Sequence, residues 1–172
     1  MSDVDRDSAA TPAAAAVEAL RAGLLGLRRE QWQDAITQLD LAVGLDPDLA
    51  VAHAYRSSAL IATGRPVEAQ AAIDRALELE PDGFAANLKA GELSIRLGQL
   101  PLAEERLLAA VRAAVPASAD ERAASETLML VRKKMRGSIT HSAVLPRLPA
   151  WRWPVRAVRV RWRDVLRRPV SG

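Results

Sequence analysis

The 172-residue chain contains few aromatic residues (3%) and no cysteine, so a disulfide framework and a thiolate metal site are excluded. Its net charge of +3 combines two unlike parts: residues 1–136 carry 16 basic and 20 acidic side chains, whereas residues 137–172 carry eight arginines and one aspartate. The scarcity of aromatics favours a core of Ala, Leu, Val and Ile between closely packed helices. The composition therefore predicts an all-α body followed by a basic C-terminal tail.

The N-terminal residues 1–11 are acidic, and we expect them to form a disordered leader. A secretory signal would need a basic start and a continuous apolar stretch, and neither is present. Thr11 followed by Pro12 has the form of a helix N-cap with proline at the first helical position, so the first helix is predicted to begin there. No run approaches the roughly 18 apolar residues of a membrane span, and we expect a cytoplasmic protein.

The residues that follow repeat with a period of 34. An alanine, a large apolar residue and a second alanine recur three times at that offset. Small residues let paired helices approach closely, and the large residue between them fills the gap at helical spacing. The nine positions are Ala35, Leu39 and Ala42, then Ala69, Ile73 and Ala76, and then Ala103, Leu107 and Ala110.

Glycine and proline divide each repeat into two helices. Gly64 and Gly98 are predicted to end the first helix of the second and third repeats. Pro47 and Pro81 are predicted to end the second helix of the first and second repeats. Gly26 lies within the first helix of repeat one, where it should cost about 1 kcal/mol relative to alanine, so we expect loose packing of that helix.

This pattern resembles the tetratricopeptide repeat (TPR) family in its period, in its small–large–small second helices and in its closing prolines. The resemblance implies an all-α solenoid of helical hairpins with about seven helices. The chain departs from the family at an early first-helix position that often holds an aromatic residue. Ser118 and Glu121 form a capping box, and the apolar stripe after them predicts a capping helix. The positions that depart from the family pattern hold Ala19, His53 and Asn87. The implied boundaries are 12–136 for the body, about 16–49, 50–83 and 84–117 for the repeats, and 118–136 for the capping helix.

In that family the first helices line a concave groove that holds a peptide or a helix, which implies a non-enzymatic scaffold or adaptor for a partner protein. The equivalent positions here are apolar at the N-terminal end and mixed toward repeat three, which favours an amphipathic or aliphatic partner segment. The alternative for any of these positions is that its side chain belongs to the core between helices. The implied groove residues are Val17, Leu20, Leu24, Leu27, Val51, Tyr55, Ser58, Ile61, Leu88, Lys89, Glu92 and Arg96.

One subtype of the family holds the terminal carboxylate of a chaperone tail with lysines and asparagines at five groove positions. Only the last of the equivalent positions here is basic, so a ligand bound through its C-terminal carboxylate is disfavoured. The five positions hold Leu20, Leu24, Tyr55, Ala85 and Lys89.

No set of residues predicts catalysis, a metal or a cofactor. His53 and His141 lie 88 residues apart, and neither has a further ligand at metal-binding spacing. Adjacent carboxylates such as Glu104 and Glu105 are typical of a charged helix face rather than of an acid–base pair. The sequence contains neither a phosphate-binding glycine loop nor a nucleophile elbow, and we expect no enzymatic activity.

The C-terminal part divides into a proline-containing linker, residues 137–150, and a basic Trp- and Arg-rich tail, residues 151–172. Apolar residues of the tail recur at i, i+4, i+7, i+11 and i+14, which favours an amphipathic helix over a strand. Alternation of valine, tryptophan and arginine around Val160 supports the strand. The apolar stripe of the helix contains Trp151, Val155, Val158, Trp162 and Val165, and the basic face includes Arg156, Arg159 and Arg163.

Four interpretations of this tail remain open. We favour the first, in which the tail docks on an anionic membrane surface at the inner face of the membrane. In the second it binds nucleic acid, and in the third it packs back on the repeats. Arginine exceeds lysine by 21 to 3, as in GC-rich, typically bacterial genes. The fourth interpretation is therefore that the tail is translated from a shifted reading frame of such a gene. For the whole chain, the alternatives to a scaffold are a small secretion-type chaperone and an accessory subunit of an enzyme complex. So short a stack also allows a homodimer through an exposed end.

Overall fold

A computed structural model describes residues 11–137, which form seven α-helices and contain no strand. The predicted all-α fold and its helix number are therefore confirmed. The predictions for the leader, the linker and the tail fall on residues 1–10 and 138–172 and lie outside the described residues. The helices are α1 (Pro12–Arg28), α2 (Trp32–Leu45), α3 (Ala50–Ala62), α4 (Pro66–Leu79), α5 (Phe84–Arg96), α6 (Leu100–Ala113) and α7 (Ala119–Met135).

The helices pair into three hairpins, α1 with α2, α3 with α4, and α5 with α6, and α7 packs against α6. Short connections between the two helices of a hairpin make them antiparallel. The first helices of successive hairpins also pack against one another, α1 on α3 and α3 on α5, more closely than the second helices do. The stack therefore curves with α1, α3 and α5 on its concave side.

Glycine permits the close approach of the paired helices. A Cβ atom added at Gly23 would lie 2.6 Å from Cγ of Leu39, and one added at Gly91 would lie 2.8 Å from Cγ of Leu107. Both leucines are fully buried. The large residue of each small–large–small pattern thus fits onto a glycine of the partner helix, as the pattern predicts for repeats one and three.

Gly26 has the same role, and the expectation of loose packing around it is wrong. The residue is buried, and an added Cβ would lie 3.1 Å from both Cα and Cβ of Ala35. Because glycine has no side chain, α2 approaches the backbone of α1 here. The conformational cost of glycine in a helix is therefore offset by closer packing between the two helices.

The predicted helix ends are confirmed at the glycines and prolines. Gly64 and Gly98 adopt positive φ angles of 75° and 76°, and each begins the turn to the second helix. Glu30 has the same conformation in repeat one, with a φ of 63°. A residue other than glycine pays roughly 1–2 kcal/mol for this conformation, so repeat one has the least favourable of the three turns. In the second helices, α2 and α4 end two residues before Pro47 and Pro81.

Two polar residues connect neighbouring repeats. They occupy positions where the family that the sequence resembles often has aromatic residues. The ring Nε2 of His53 donates to the carbonyl oxygen of Pro47 at 2.9 Å, and the side-chain amide of Asn87 donates to that of Pro81 at 2.7 Å. The pairs are 34 residues apart. Each hydrogen bond satisfies a carbonyl in the turn between repeats, which is worth about 1 kcal/mol. The departures from the family pattern are therefore structural at both positions.

Helix α7 begins as predicted. The Ser118 hydroxyl accepts from the backbone N–H of Glu121 at 3.0 Å, while the Glu121 carboxylate accepts from the N–H of Ala117. Ala124, Leu128 and Val131 are buried in a cluster with α6. Met135 is 38% exposed, so the predicted apolar stripe is covered only along its first three members.

Candidate partner-binding groove

The concave side is formed by α1, α3 and α5, and all twelve predicted groove residues lie on these three helices. Ten of them fall into two groups by exposure, and the other two, Lys89 and Glu92, form a nearly buried ion pair that is described below. In the first, the side chains are buried, and the prediction that they line a groove is wrong. This group consists of Val17, Leu20, Leu27, Tyr55 and Leu88.

The buried group is explained by how many neighbours a first helix has. Leu20 is fully buried and belongs, with Leu27, to the core cluster that joins the first two hairpins. Leu88 belongs to the cluster between α5, α6 and α7. A first helix contacts its hairpin partner and the adjacent first helices at the same time, so much of its circumference becomes core.

The second group is partly exposed, so its members stay candidates for the predicted groove. Leu24, Val51 and Ile61 are half-buried apolar residues that pack against the core with part of their side chains. Ser58 is half-buried, and Arg96 is exposed at the end of α5. The accessible part of the groove is therefore apolar along α1 and α3 and becomes polar on α5.

The centre of the groove holds a nearly buried ion pair. The Lys89 ammonium lies 2.9 Å from the Glu92 carboxylate, and the two side chains are only 9% and 17% exposed. The same ammonium lies 5.1 Å from the ring centroid of Tyr55, a cation–π contact. The only basic residue among the five clamp positions is therefore already neutralised by a neighbour one helical turn away.

Burial raises the pKa of two ionisable groups around this pair. Burial raises the pKa of the Tyr55 phenol well above its ordinary value, and the negative charges of Glu92 and Asp120 raise it further. Burial also raises the pKa of the Asp120 carboxyl. The Tyr55 hydroxyl and Oδ1 of Asp120 are buried without a hydrogen-bond partner among the described residues. Tyr55 is thus a neutral phenol at physiological pH.

Asp120 was missed by the sequence analysis. It lies in the first turn of α7, 34 residues after Ala86 of α5, and so continues the series of first-helix positions. The repeat offset aligns it with Ala52 and Ala86, which are buried and are not predicted groove positions, so the repeat pattern gave no signal for it.

Within residues 11–137, no group of three or more His, Asp or Glu side chains is arranged to hold a metal ion. None of the seven helices in this range is long and apolar enough to cross a membrane. The predicted tail residues, Trp151 to Val165 with their arginines, lie outside the described residues.

Comparisons with known proteins agree with the helical-repeat fold described above. No family model matches the chain. A 75-residue stretch, 44% of the chain, is 36% identical to DnaJ homolog subfamily C member 3 of Rattus norvegicus. The chain spans only about 15% of the length of that relative.

Two solved structures share the architecture. The TPR domain of Sgt2 from Aspergillus fumigatus superposes with a TM-score of 0.62 at 17% identity, over 72% of this chain and 80% of that one. The first TPR domain of Spaghetti (RPAP3), bound to the HSP90 peptide SRMEEVD, superposes with a TM-score of 0.59 at 17% identity, over 71% of this chain and 94% of that one.

Proposed function

Because residues 11–137 have the tetratricopeptide repeat fold, we propose that the chain is a non-enzymatic scaffold that holds a segment of a partner protein in its concave groove. The observation that carries this proposal is the combination of half-buried apolar residues on α1 and α3 with the nearly buried Lys89–Glu92 ion pair on α5. Apolar side chains that remain partly accessible on a concave surface are suited to the apolar face of a peptide or helix.

The same features argue against an acidic peptide such as the one bound by Spaghetti. A terminal carboxylate needs cations that are free to donate, and Lys89 already donates to Glu92. Asp120, whose charge also acts on Tyr55, adds negative charge near the groove centre. We therefore propose an amphipathic or aliphatic partner segment, and the peptide SRMEEVD should not bind measurably.

Leu24→Glu is expected to abolish capture of the partner by the full-length chain, because it places a charge in the apolar part of the groove. Val67→Glu, at a position that is 81% exposed at the start of α4, is the matched control and should leave capture unchanged. The measurement is a pull-down from the native cell with each variant, with helicity checked by circular dichroism. Equal capture by Leu24→Glu and the unmodified chain would contradict the proposal, as would equal loss in both variants.

As a second function, we propose that the tail attaches the scaffold to an anionic membrane surface from the cytoplasm. The support is the charge asymmetry, since residues 137–172 carry eight arginines and one aspartate and the rest of the chain is acidic overall. Each arginine near such a surface contributes about 1 kcal/mol. The apolar stripe of the predicted helix would enter the headgroup region.

In vesicle sedimentation, Val158→Ser with Trp162→Ser and Arg159→Gln with Arg163→Gln should both weaken binding to anionic vesicles. Nucleic-acid binding, the competing use of the tail, depends on phosphate contacts and should suffer mainly from the arginine pair. If the unmodified chain does not sediment with anionic vesicles at low salt, the membrane proposal is wrong.

A further inference from the structure

Helix α7 repeats the pattern of a first helix. Ser125 lies 34 residues after Gly91, and Gly91 lies 68 residues after Gly23, with Ser57 between them. In repeats one and three these small residues receive the large residue of the second helix, since a Cβ at Gly23 or Gly91 would collide with Leu39 or Leu107. Helix α7 therefore has a small residue at the position where, in α1 and α5, the second helix of the hairpin packs.

No helix among the described residues covers this side of α7. Met129, one turn after Ser125, is 64% exposed. A concavity of about 390 Å³ lies here, lined by Ser125, Leu128, Met129, Arg132, Lys133 and Arg136. At the equivalent position of the other hairpins, Leu27 is buried and Ile61 and Ile95 are half-buried. The face of α7 that contains Ser125 and Met129 is thus an open hairpin face, and the buried Leu128 lies at its edge against α6.

We propose that α7 is the first helix of an incomplete fourth hairpin, and that residues 151–168 of the same chain dock antiparallel on its open face. The occupant follows first from the course of the chain. Helix α7 is followed by Gly137, whose φ of 69° matches those of Gly64 and Gly98, the two glycines that turn the chain back onto the preceding helix.

The length of the chain also permits this docking. Helix α7 has 17 residues, and the stretch proposed to dock has nearly the same length. At about 1.5 Å per residue α7 is roughly 26 Å long, whereas the 13 residues 138–150 can span up to about 43 Å when extended. Attachment through so short a linker gives the tail a millimolar effective concentration at α7, which favours the same chain over a second copy.

Charge complementarity sets the direction. The first half of α7 carries three acidic residues, Asp120, Glu121 and Glu126, against one basic residue, Arg122, and its last turns carry Arg132, Lys133 and Lys134. Of the seven arginines in residues 151–168, two lie before position 159 and five from position 159 onward. An antiparallel arrangement places the more basic half of the tail beside the acidic half of α7 and separates it from the basic half. A parallel arrangement would bring the two basic halves together.

The residues that would meet also fit in size. If position 151 is placed beside the end of α7, Trp162 falls opposite Ser125 and Val158 falls opposite Leu128 and Met129. A large ring over a small residue repeats the fit of Leu39 onto Gly23. The docked state uses the same apolar stripe as membrane attachment, so the two states exclude each other, and docking is the state expected in the absence of lipid.

The chain contains no cysteine, so an engineered pair reports this contact directly. Met129→Cys with Val158→Cys should form an intramolecular disulfide in the full-length monomer. Leu41→Cys with Val158→Cys is the matched control, because Leu41 is similarly exposed but lies on α2, at the other end of the stack. The first pair should oxidise at least about tenfold faster than the control. Equal rates would overturn the proposal, and a disulfide-linked dimer would assign the face to a second copy instead.

A second variant tests the fit at Ser125. In the Met129→Cys, Val158→Cys chain, Ser125→Trp should reduce the oxidation rate to that of the control pair, because the added ring occupies the place proposed for Trp162. Leu130→Trp adds the same ring at an exposed neighbouring position and should leave the rate unchanged. An unchanged rate in Ser125→Trp would show that the tail meets α7 elsewhere and would overturn the proposal.

Discussion

Replacing Leu39 with alanine should lower the free energy of unfolding by about 3 kcal/mol. Leu39 is fully buried, and its Cγ lies 2.6 Å from the place of a Cβ atom added at Gly23. The loss combines the transfer of the removed atoms with the cavity left between α1 and α2, whose already close backbones limit relaxation. Leu41→Ala is the control, because that side chain is half exposed, and it should change stability by only about 0.5 kcal/mol. Urea denaturation of the two variants measures the difference.

The same contact can be tested from the glycine side. Gly23→Ala should destabilise the protein although alanine is the better helix former, because its Cβ would lie 2.6 Å from Leu39 Cγ. Gly44→Ala, in α2 with no atom within 4 Å of the added Cβ, should stabilise by about 1 kcal/mol. Combining Gly23→Ala with Leu39→Ala should relieve the collision. A stabilising Gly23→Ala would show that the hairpin is less tightly closed than described.

Replacing Glu92 with alanine should cost about 3 kcal/mol, because it leaves the Lys89 ammonium nearly buried and without its carboxylate. Glu78→Ala is the matched control. Glu78 forms the same i, i+3 pair with Arg75, but that pair is 44% and 66% exposed, and its loss should cost at most about 1 kcal/mol. Thermal or urea denaturation at neutral pH gives both values.

The double variant Lys89→Met with Glu92→Leu separates the cost of an unpaired charge from the contribution of the pair. Two apolar residues of similar volume should restore most of the stability, since a buried ion pair contributes little beyond its own desolvation cost. If Glu92→Ala instead behaves like Glu78→Ala, the Lys89 side chain must reach water by extending its head group. Lys89 would then be available to a carboxylate ligand.

The sequence by itself determined the features that depend on neighbouring residues along the chain. The 34-residue period, the alanines and large residues of the second helices, and the glycines and prolines at the helix ends each act within one hairpin. They therefore predict the seven helices and their pairing. The Ser118 cap is local in the same sense, and it was correctly placed. Gly26 shows the limit of local reasoning, because its cost in an isolated helix says nothing about the approach of Ala35.

Only the tertiary structure decided which first-helix residues face the groove. Leu20 and Leu24 have the same chemistry and lie one turn apart, yet Leu20 is core and Leu24 is half-buried at the concave surface. The helical period shows that a side of the helix is apolar, but a first helix is covered by its hairpin partner and by adjacent first helices together. Their coverage depends on the curvature of the stack, which is the sum of contacts between residues far apart in sequence. The Lys89–Glu92 pair is local to α5, but its burial beside Tyr55, and the open face of α7, arise from the same long-range packing.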